Sequence, residues 1–293
     1  MKNTLIQHLQ LKSVDEFTLL KFLKYGLMIT CSLCFIGHGA WGIITKADWI
    51  PFYGVFGIPA PLAWKLMPLT GLFDILVGFG LLIRPMRITL LWMAFWTVVT
   101  AIIRPMAGLT SWEFVERAGN FGPPIALLYL FNSRSLIENL NDIPINLSSQ
   151  QLLIAKKWFI FCLSFLLFGH GAFGLLHKKI LLSHWEHMGI VDAYSFLSGI
   201  GIFEMALALF IFFAPTRRIL IFVMLWKIAT ELLYPITGRL LDIFEFVERW
   251  GDYGIPISIL FINTILALRK NSPVFCNGFL KKQSAKGNTI CIN

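Results

Sequence analysis

The first long stretch of the sequence without a charged side chain covers residues 25–44, which include no Asp, Glu, Lys or Arg. A helix rises about 1.5 Å per residue, so about 20 residues cross the roughly 30 Å hydrocarbon core of a bilayer. Seven more apolar stretches follow, at residues 66–83, 88–103, 112–131, 158–176, 197–213, 219–236 and 243–268. The sequence therefore predicts an all-α integral membrane protein with eight transmembrane helices.

The composition agrees with a chain whose solvent is lipid. Of 293 residues, 57% are hydrophobic and 14% are charged, whereas about a quarter of the residues of soluble proteins are charged. The net charge is +9, but the basic residues lie between apolar stretches and at the chain ends, as topology signals do. No nucleic-acid-binding module is recognisable, so we expect the lipid bilayer and no nucleic acid as a partner.

Short motifs from the first half of the chain return in the second half. GHGAWG at residues 37–42 returns as GHGAFG at 169–174, and EFVERAGNFGPP at 113–124 returns as EFVERWGDYGIP at 245–256, both after a shift of 132 residues (38 to 170, 113 to 245). Such regular recurrence indicates a tandem duplication.

The repeats divide the chain into five parts. We expect an N-terminal cytoplasmic or interfacial segment at residues 1–24, a first four-helix membrane unit at 25–131 and a linker at 132–157. A second four-helix membrane unit follows at 158–268, and a cytoplasmic tail at 269–293.

The orientation of the units follows from the number of spans. Each unit has an even number, so both copies begin on the same side of the membrane and form two parallel-repeat four-helix bundles. With a cytoplasmic N-terminus, the opposite side carries about half as many Lys and Arg residues as the cytoplasmic side. We therefore expect both termini in the cytoplasm, in a bacterial inner membrane. No cleavable signal peptide is recognisable, so the first apolar stretch is predicted to remain as a span.

Ionisable side chains within the predicted spans are candidates for function, because they are costly in lipid. His38 and His170 are each flanked by glycines, and Asp74 in the second span corresponds to Glu204 in the sixth. Each histidine could be a proton carrier, a ligand contact, a metal ligand or a packing residue bonded to a carbonyl. The acid needs a partner, either that histidine or the arginine of the fourth helix, and a structural ion pair is the alternative.

The repeated Glu-Phe-Val-Glu-Arg element carries the densest set of charges. Glu113 and Arg117 are four residues apart, as are Glu245 and Arg249, which is the spacing of a helical ion pair. We expect a charged cluster at the outer mouth of each bundle, above a helix kink at the prolines of residues 123–124. The alternative is a cap-and-turn device that fixes where the helix enters the membrane.

The third helices of the two units differ. Arg104 stands where the second unit has Tyr234, and the second unit adds Lys227 and Glu231 at helical pairing distance. The two units therefore need not be equivalent, and one hypothesis is that one copy is active and the other structural. A separate CxxC motif, at residues 31–34, is either a redox dithiol or a pair of packing residues.

One unit resembles the DoxX-type family of four-helix membrane proteins. The resemblance lies in the glycine-spaced first helix at residues 37–42 and in the Gly71-Leu-Phe-Asp74-Ile-Leu-Val-Gly78 pattern, with Gly199-Ile-Gly201-Ile-Phe-Glu204 as its counterpart. It implies a compact four-helix bundle and an association with quinone-linked redox systems. It implies no catalytic residue, and the cofactor stays unassigned.

Three functions remain open. The first is a redox-associated protein that binds a quinone or another small apolar molecule in an outer-facing polar pocket. The second is a proton-coupled small-molecule transporter with its site between the units. The third is a non-catalytic assembly protein, in which the polar groups join the helices and the partner is a lipid or another membrane protein.

Among the candidate residues, we expect His38, Asp74 and Arg117 to converge in the first bundle and their counterparts in the second. No metal ligand is proposed. The full set of candidates for a ligand or proton site is His38, Asp74, Arg104, Glu113, Glu116, Arg117, Asn120, His170, Glu204, Lys227, Glu231, Glu245, Glu248, Arg249 and Asp252.

Overall fold

The structure, a computed structural model, describes residues 15–131 and 135–270, and these residues are almost entirely helical. Their only β pairing is an isolated bridge between Met86 and Asn139. The α-helices of this described part are α1 Glu16–Ile44, α2 Ile50–Gly54, α3 Ala60–Ile83, α4 Arg87–Met106, α5 Trp112–Glu116, α6 Ala118–Leu130, α7 Ser149–Leu175, α8 Lys179–His187, α9 Ala193–Phe213, α10 Arg217–Glu231, α11 Leu233–Thr237, α12 Ile243–Glu248 and α13 Trp250–Lys270.

Seven helical segments of the described residues are long and apolar enough to cross a membrane: α1, α3, α4, α7, α9, α10 with α11, and α12 with α13. This confirms the prediction of an all-helical, multi-pass membrane protein. The stretch predicted as the fourth span, residues 112–131, is divided into α5 and α6. The 13 residues of α6 are too few to cross a bilayer alone.

The break in this stretch lies at Arg117, not at the prolines where the sequence predicted a kink. Pro123 and Pro124 lie inside α6, and Pro256 lies inside α13, which begins directly after a similar break at Arg249. A proline cannot bond to the carbonyl four residues earlier. For Pro123 and Pro124 these carbonyls belong to residues 119 and 120, close to the break.

Two helices begin earlier than the predicted spans. Asp15 caps α1 by accepting a hydrogen bond from the Thr18 amide at 2.7 Å, so the end of the predicted interfacial segment continues into the first span. Ser148 and Gln151 form a capping box at the start of α7, so residues 149–157 of the predicted linker are helical. Residues 271–293 of the predicted tail lie outside the described residues.

The centre of the molecule is formed by α1, α6, α7 and α13, with α5 and α12 continuing α6 and α13 at one end. The outer helices α3, α4, α9 and α10 pack on α1, α6, α7 and α13 respectively. Of the 18 most apolar consecutive residues in each outer helix, a third or less are buried. In α1, α7 and α12–α13, half or more of these residues are buried. This arrangement differs from two separate bundles, because the last helix of each half packs on the first helix of the other half.

One end of the molecule contains the start of α1, the start of α7 and the end of α13. The Arg269 guanidinium donates to Glu16 at 2.7 Å, to the Leu147 carbonyl at 2.7 Å and to the Ser149 hydroxyl at 3.1 Å. The amide of Leu140, from the segment between α6 and α7, donates to the Pro85 carbonyl at 2.8 Å. The α3–α4 junction therefore lies at this end too.

Glycines allow the central helices to approach closely. A Cβ atom at Gly37 of α1 would collide with the backbone of Glu248 in α12, and one at Gly169 of α7 would lie 2.5 Å from the amide nitrogen of Glu116 in α5. Gly39 of α1 lies similarly against the backbone of Gly71 in α3. These contacts require residues without a side chain, so they fix how the helices pack.

This packing predicts opposite effects for two glycines of α1. Gly37→Ala should lower the thermal unfolding temperature of the purified protein, by the equivalent of about 1–3 kcal/mol for an overpacked site. Gly26→Ala is the matched control, since a Cβ there meets nothing within 4 Å, and alanine favours a helix. Equal unfolding temperatures for both variants would contradict the close approach of α1 and α12.

Candidate functional site

His38 of α1 and Asp74 of α3 form a direct pair, with His38 Nδ1 2.8 Å from Asp74 Oδ2. The Trp96 indole of α4 donates to the same carboxylate oxygen at 3.4 Å. Asp74 is fully buried, so an ionised carboxylate there depends on these partners. Of the two partners predicted for the acid, the structure brings the histidine to it, while Arg117 pairs elsewhere.

An apolar pocket with a volume of about 310 Å³ opens beside this pair, between α3, α4 and the segment around α2. The Trp49 ring stacks on the His38 ring with centroids 4.5 Å apart. Leu69 and Phe56 at the pocket are 62% and 60% exposed, on surfaces that would face lipid. We call this cavity the aromatic pocket; its lining is His38, Trp49, Phe52, Tyr53, Phe56, Ile58, Leu66, Leu69, Thr70, Trp96, Thr100, Ile103 and Arg104.

At the matching place of the second half lies a wider, shallower apolar cavity of about 670 Å³, which borders Trp226 but includes neither His170 nor Glu204. Glu204 accepts a hydrogen bond from the Trp226 indole at 2.9 Å, as Asp74 does from Trp96. His170 is not paired with Glu204; its Nε2 atom lies 3.4 Å from Glu116, 3.7 Å from Glu231 and 3.8 Å from Asp252. The cavity beside His170 and Glu204 has a volume of only about 30 Å³.

Lys227 is a buried cation beside the acids that surround His170. Its ammonium group is fully buried and lies 2.7 Å from Glu231 and 3.5 Å from Asp252. The predicted pairing of Lys227 with Glu231 within α10 is therefore present. Arg249 adds a second cation, 3.1 Å from Glu231.

Three buried side chains of this site have the ligand types and spacing for a metal ion. The ligand atoms of His170, Glu231 and Asp252 lie within 4.8 Å of one another. The cationic groups of Lys227 and Arg249 already lie against these carboxylates. A divalent cation would have to displace them, so the charge balance of the cluster does not require a metal.

The Glu-Phe-Val-Glu-Arg elements of the two halves pair with each other. Arg117 Nη1 lies 2.5 Å from Glu248 Oε1, and Arg249 Nε lies 3.8 Å from Glu116 Oε1. All four side chains are buried. The charge of each element is therefore balanced in part by the opposite half of the chain.

The lysines that follow the two GHGA motifs also form ion pairs between the two halves. Lys178 lies 2.7 Å from Glu113, and Lys46 forms an ion pair with Glu245. Together with the two arginine contacts, they join the halves by four ion pairs. We call this group the cross-unit cluster; it consists of Lys46, Glu113, Glu116, Arg117, Lys178, Glu245, Glu248 and Arg249.

One of the two predicted pairs within these elements forms and the other does not. Arg249 pairs with Glu245 at 2.5 Å, as predicted. The prediction that Glu113 pairs with Arg117 is wrong: Glu113 contacts Lys178 and Arg104, and Arg117 contacts Glu248 and the adjacent Glu116. Both partners come from the opposite half: Lys178 pairs with Glu113, and Glu248 pairs with Arg117.

A polar cavity with a volume of about 660 Å³ lies over the cross-unit cluster. Its walls include Arg117, Arg249, Glu245 and Glu248, together with Arg104. Trp49, Phe52 and Arg104 also line the aromatic pocket. The polar cavity and the aromatic pocket are therefore neighbours with a common wall.

The remaining candidates lie near these sites or have packing roles. Asn120 borders a small cavity beside His38, together with Cys34 and Thr97. Cys31 and Cys34 are buried and form no disulfide, which favours packing over redox use for this pair.

The sequence interpretation missed Lys46 and Lys178. Both follow the repeated histidine by eight residues (38 to 46, 170 to 178), so an alignment of the two halves contained the signal. It also missed His184 of α8. Nothing in the repeat marks that residue, because the loops around it differ between the halves.

No protein-family model, no curated protein and no solved structure matches this chain. The class of protein is therefore defined by its own features: a multi-pass helical membrane protein with a histidine–carboxylate pair at an aromatic pocket, beside a buried ion-pair cluster.

His184 lies outside the predicted spans, where protonation can act on stability. Its ring is buried, its Nδ1 atom lies 2.6 Å from the Thr237 hydroxyl, and its edge meets the Tyr234 ring. Burial lowers the pKa of His184 below its ordinary value, against a smaller opposing effect of Glu231. The neutral imidazole is therefore the form that the folded protein favours.

This shift predicts a stability that declines in mild acid. Below about pH 6.5, the unfolded chain binds a proton at this histidine that the folded protein binds less readily, so the stability is full above that pH and falls as the pH is lowered. His184→Gln should reduce the difference between the thermal unfolding temperatures at pH 7.5 and pH 5.5. An unchanged difference in this variant would rule out His184 as a source of the acid sensitivity.

Proposed function

We propose that the protein consists of two parallel copies of a four-span unit whose last spans are exchanged. In this proposal, α5 and α6 together form the fourth span, since 112–130 rises roughly 28 Å at helical spacing. One face of the molecule contains the start of α1, the start of α7 and the end of α13. A chain returns to the same face after an even number of crossings, so this supports eight spans. Basic residues such as Arg84, Arg87, Arg217 and Arg218 support the proposal that this face lies on the cytoplasmic side, in what we propose is a bacterial inner membrane.

If the last spans are exchanged, the protein should tolerate a swap of the two charges in a buried ion pair that joins the two copies. Arg117→Glu alone should destabilise the protein, because breaking a buried ion pair costs about 3–5 kcal/mol. Glu248→Arg in the same chain should restore part of the loss, measured as the thermal unfolding temperature in detergent.

The control for this experiment is the exposed pair of Arg239 and Asp242, joined at 3.3 Å. Arg239→Glu should have a small effect, since exposed pairs contribute little. A double variant Arg117→Glu, Glu248→Arg that is no more stable than the single variants would contradict the exchange.

We also propose that the first copy binds a planar, lipid-soluble molecule, such as a quinone, in the aromatic pocket. The observation that carries this proposal is the pair of His38 and Asp74 at the side of an apolar cavity of about 310 Å³. That volume lies within the range of small-molecule sites, which are mostly apolar with a few fixed polar groups. The exposed Leu69 and Phe56 provide access from the lipid.

The His38–Asp74 pair is suited to hold or move a proton. A carboxylate at Nδ1 favours the tautomer with its proton on that nitrogen, which leaves Nε2 as an acceptor. The same carboxylate stabilises the imidazolium that forms when Nε2 takes a proton. A bound hydroquinone or phenol would find a proton acceptor there, and a quinone carbonyl would find a donor in the imidazolium.

The second copy has a structural role in this proposal. The positions of Lys227, Glu231 and Asp252 correspond, by the shifts of 130 and 132 residues, to Thr97, Ala101 and Asn120 in the first copy (227 to 97, 231 to 101, 252 to 120). The second copy thus has an internal ion pair where the first has neutral side chains, and its larger cavity includes neither His170 nor Glu204. This supports the hypothesis that one copy is active and the other is not.

A proton-coupled transporter is the second candidate, and the polar cavity beside the aromatic pocket favours it. The two cavities share Trp49, Phe52 and Arg104, so movement of this wall would join them. Uptake of a quinone-sized solute into proteoliposomes, driven by a pH gradient, would favour this function. Binding without uptake would favour the first.

The binding proposal predicts a difference between the two histidines. A short-chain quinone should quench the tryptophan fluorescence of the detergent-solubilised protein saturably, because Trp49 and Trp96 line the pocket. His38→Asn should weaken this binding by about tenfold, the loss expected for one good hydrogen bond of about 1.4 kcal/mol.

His170→Asn is the matched control, since His170 lies beside a cavity of only about 30 Å³, and it should leave the affinity unchanged. The thermal unfolding temperature of each variant shows that it is folded. An affinity that His38→Asn does not change, or the absence of saturable quenching in the unaltered protein, would contradict the proposal.

A further inference from the structure

Arg104 is the charged residue that borders both cavities in the described part of the chain. It stands near the end of α4 and lines the aromatic pocket and the polar cavity, together with Trp49 and Phe52. Its guanidinium carbon lies 5.3 Å from the centre of the Phe52 ring. Its side chain is 13% exposed, so it is largely withdrawn from solvent but still reaches the common wall.

The charge of Arg104 is only weakly balanced. Its single ion-pair partner among the described residues is Glu113, at 3.3 Å. Glu113 already has a closer cation in Lys178, at 2.7 Å. Two cations therefore share one carboxylate, and Arg104 has the longer of the two contacts.

The other acids nearby contact other cations and not Arg104. Arg117 lies among them and is itself a cation, paired with Glu248 at 2.5 Å and with Glu116 at 3.0 Å. Glu116 is in turn shared with Arg249 at 3.8 Å. These acids are engaged by buried arginines of their own. Arg104 is therefore the cation with capacity for a further anionic partner.

The second copy lacks this feature. Tyr234 stands at the position that corresponds to Arg104 (104 to 234, a shift of 130), and its ring packs against the Arg249 guanidinium at 4.6 Å. The copy in which the histidine lines a sizeable apolar cavity thus has the arginine, and the copy in which the histidine lies among acids does not. An arginine with only a structural role would have no reason to occur in the copy with the aromatic pocket and to be absent from the other copy.

We propose that Arg104 binds an ionised oxygen of the pocket's ligand, so that the ligand class is an acidic, ring-bearing, lipid-soluble molecule. This inference rests on the binding function proposed above and makes it narrower. The aromatic walls hold the ring, the His38–Asp74 pair faces one oxygen, and the Arg104 guanidinium pairs with a second, anionic one. A guanidinium suits this task because its planar donors stay charged at every physiological pH.

The test compares two probes that differ only in ionisation. An alkyl hydroxynaphthoquinone is an anion at neutral pH, and its methyl ether is neutral with nearly the same shape. Tryptophan quenching by each probe gives the affinity for the full-length protein in detergent. We expect the anionic probe to bind at least about tenfold more tightly, as a charge-assisted hydrogen bond allows.

Two variants separate ligand binding by Arg104 from a structural role. Arg104→Gln should abolish the preference for the anion while it leaves the affinity for the methyl ether unchanged. Arg104→Lys should keep part of the preference. A purely structural arginine would instead change both affinities together, along with the unfolding temperature, and that result would overturn the inference.

The outcomes also separate this inference from the binding proposal on which it rests. If the unaltered protein binds both probes equally, or if Arg104→Gln keeps the preference, the aromatic pocket remains a binding site and the role of Arg104 is wrong. If the unaltered protein binds neither probe, the binding function itself fails, and this inference fails with it.

Discussion

Charged groups inside a membrane must be balanced by other charges, and in this protein the balance joins the two halves of the chain. Arg117 meets Glu248, Arg249 meets Glu116, and Lys178 meets Glu113. In a medium of low dielectric constant, an uncompensated charge costs several kcal/mol. Each half therefore depends on the other, and the helices that carry these groups must stay in the centre.

The remaining architecture follows from this constraint. The helices with the Glu-Phe-Val-Glu-Arg elements pack on the first helix of the opposite half, where Gly37 and Gly169 allow backbone contact. The outer faces of the other helices carry exposed leucine and phenylalanine in the described part of the chain, as surfaces suited to lipid do. The aromatic pocket lies in this outer layer, between α3 and α4, where a lipid-soluble ligand could reach it.

Much of the fold follows from local patterns in the sequence. Seven of the predicted spans lie in helices of the described residues, because an apolar stretch of sufficient length has few alternatives in a bilayer. For Asp74 the sequence left two possible partners open, and His38 was one of them. The i to i+4 pair of Glu245 and Arg249 also followed from helical spacing.

The contacts between the halves did not follow from the sequence. Helical spacing predicts only neighbours along one helix, and it gave Glu113 the wrong partner in Arg117. The true partner, Lys178, is 65 residues away. Only comparison of the two halves could have suggested it. The surroundings of His38 and His170 differ by a few side chains, such as Thr97 against Lys227, and the effect of these side chains depends on packing that spacing does not reveal.

The central claim is that exchanged last helices enclose a buried ion-pair cluster and that, in the described residues, the repeated histidine lines a cavity of ligand size in the first half alone. The most direct test is an experimental structure, by electron cryomicroscopy, of the protein in lipid nanodiscs with a short-chain quinone. The account predicts α12 and α13 against α1, and ligand density between Trp49 and Trp96 beside His38. Density beside His170 instead, or α13 packed away from α1, would contradict it.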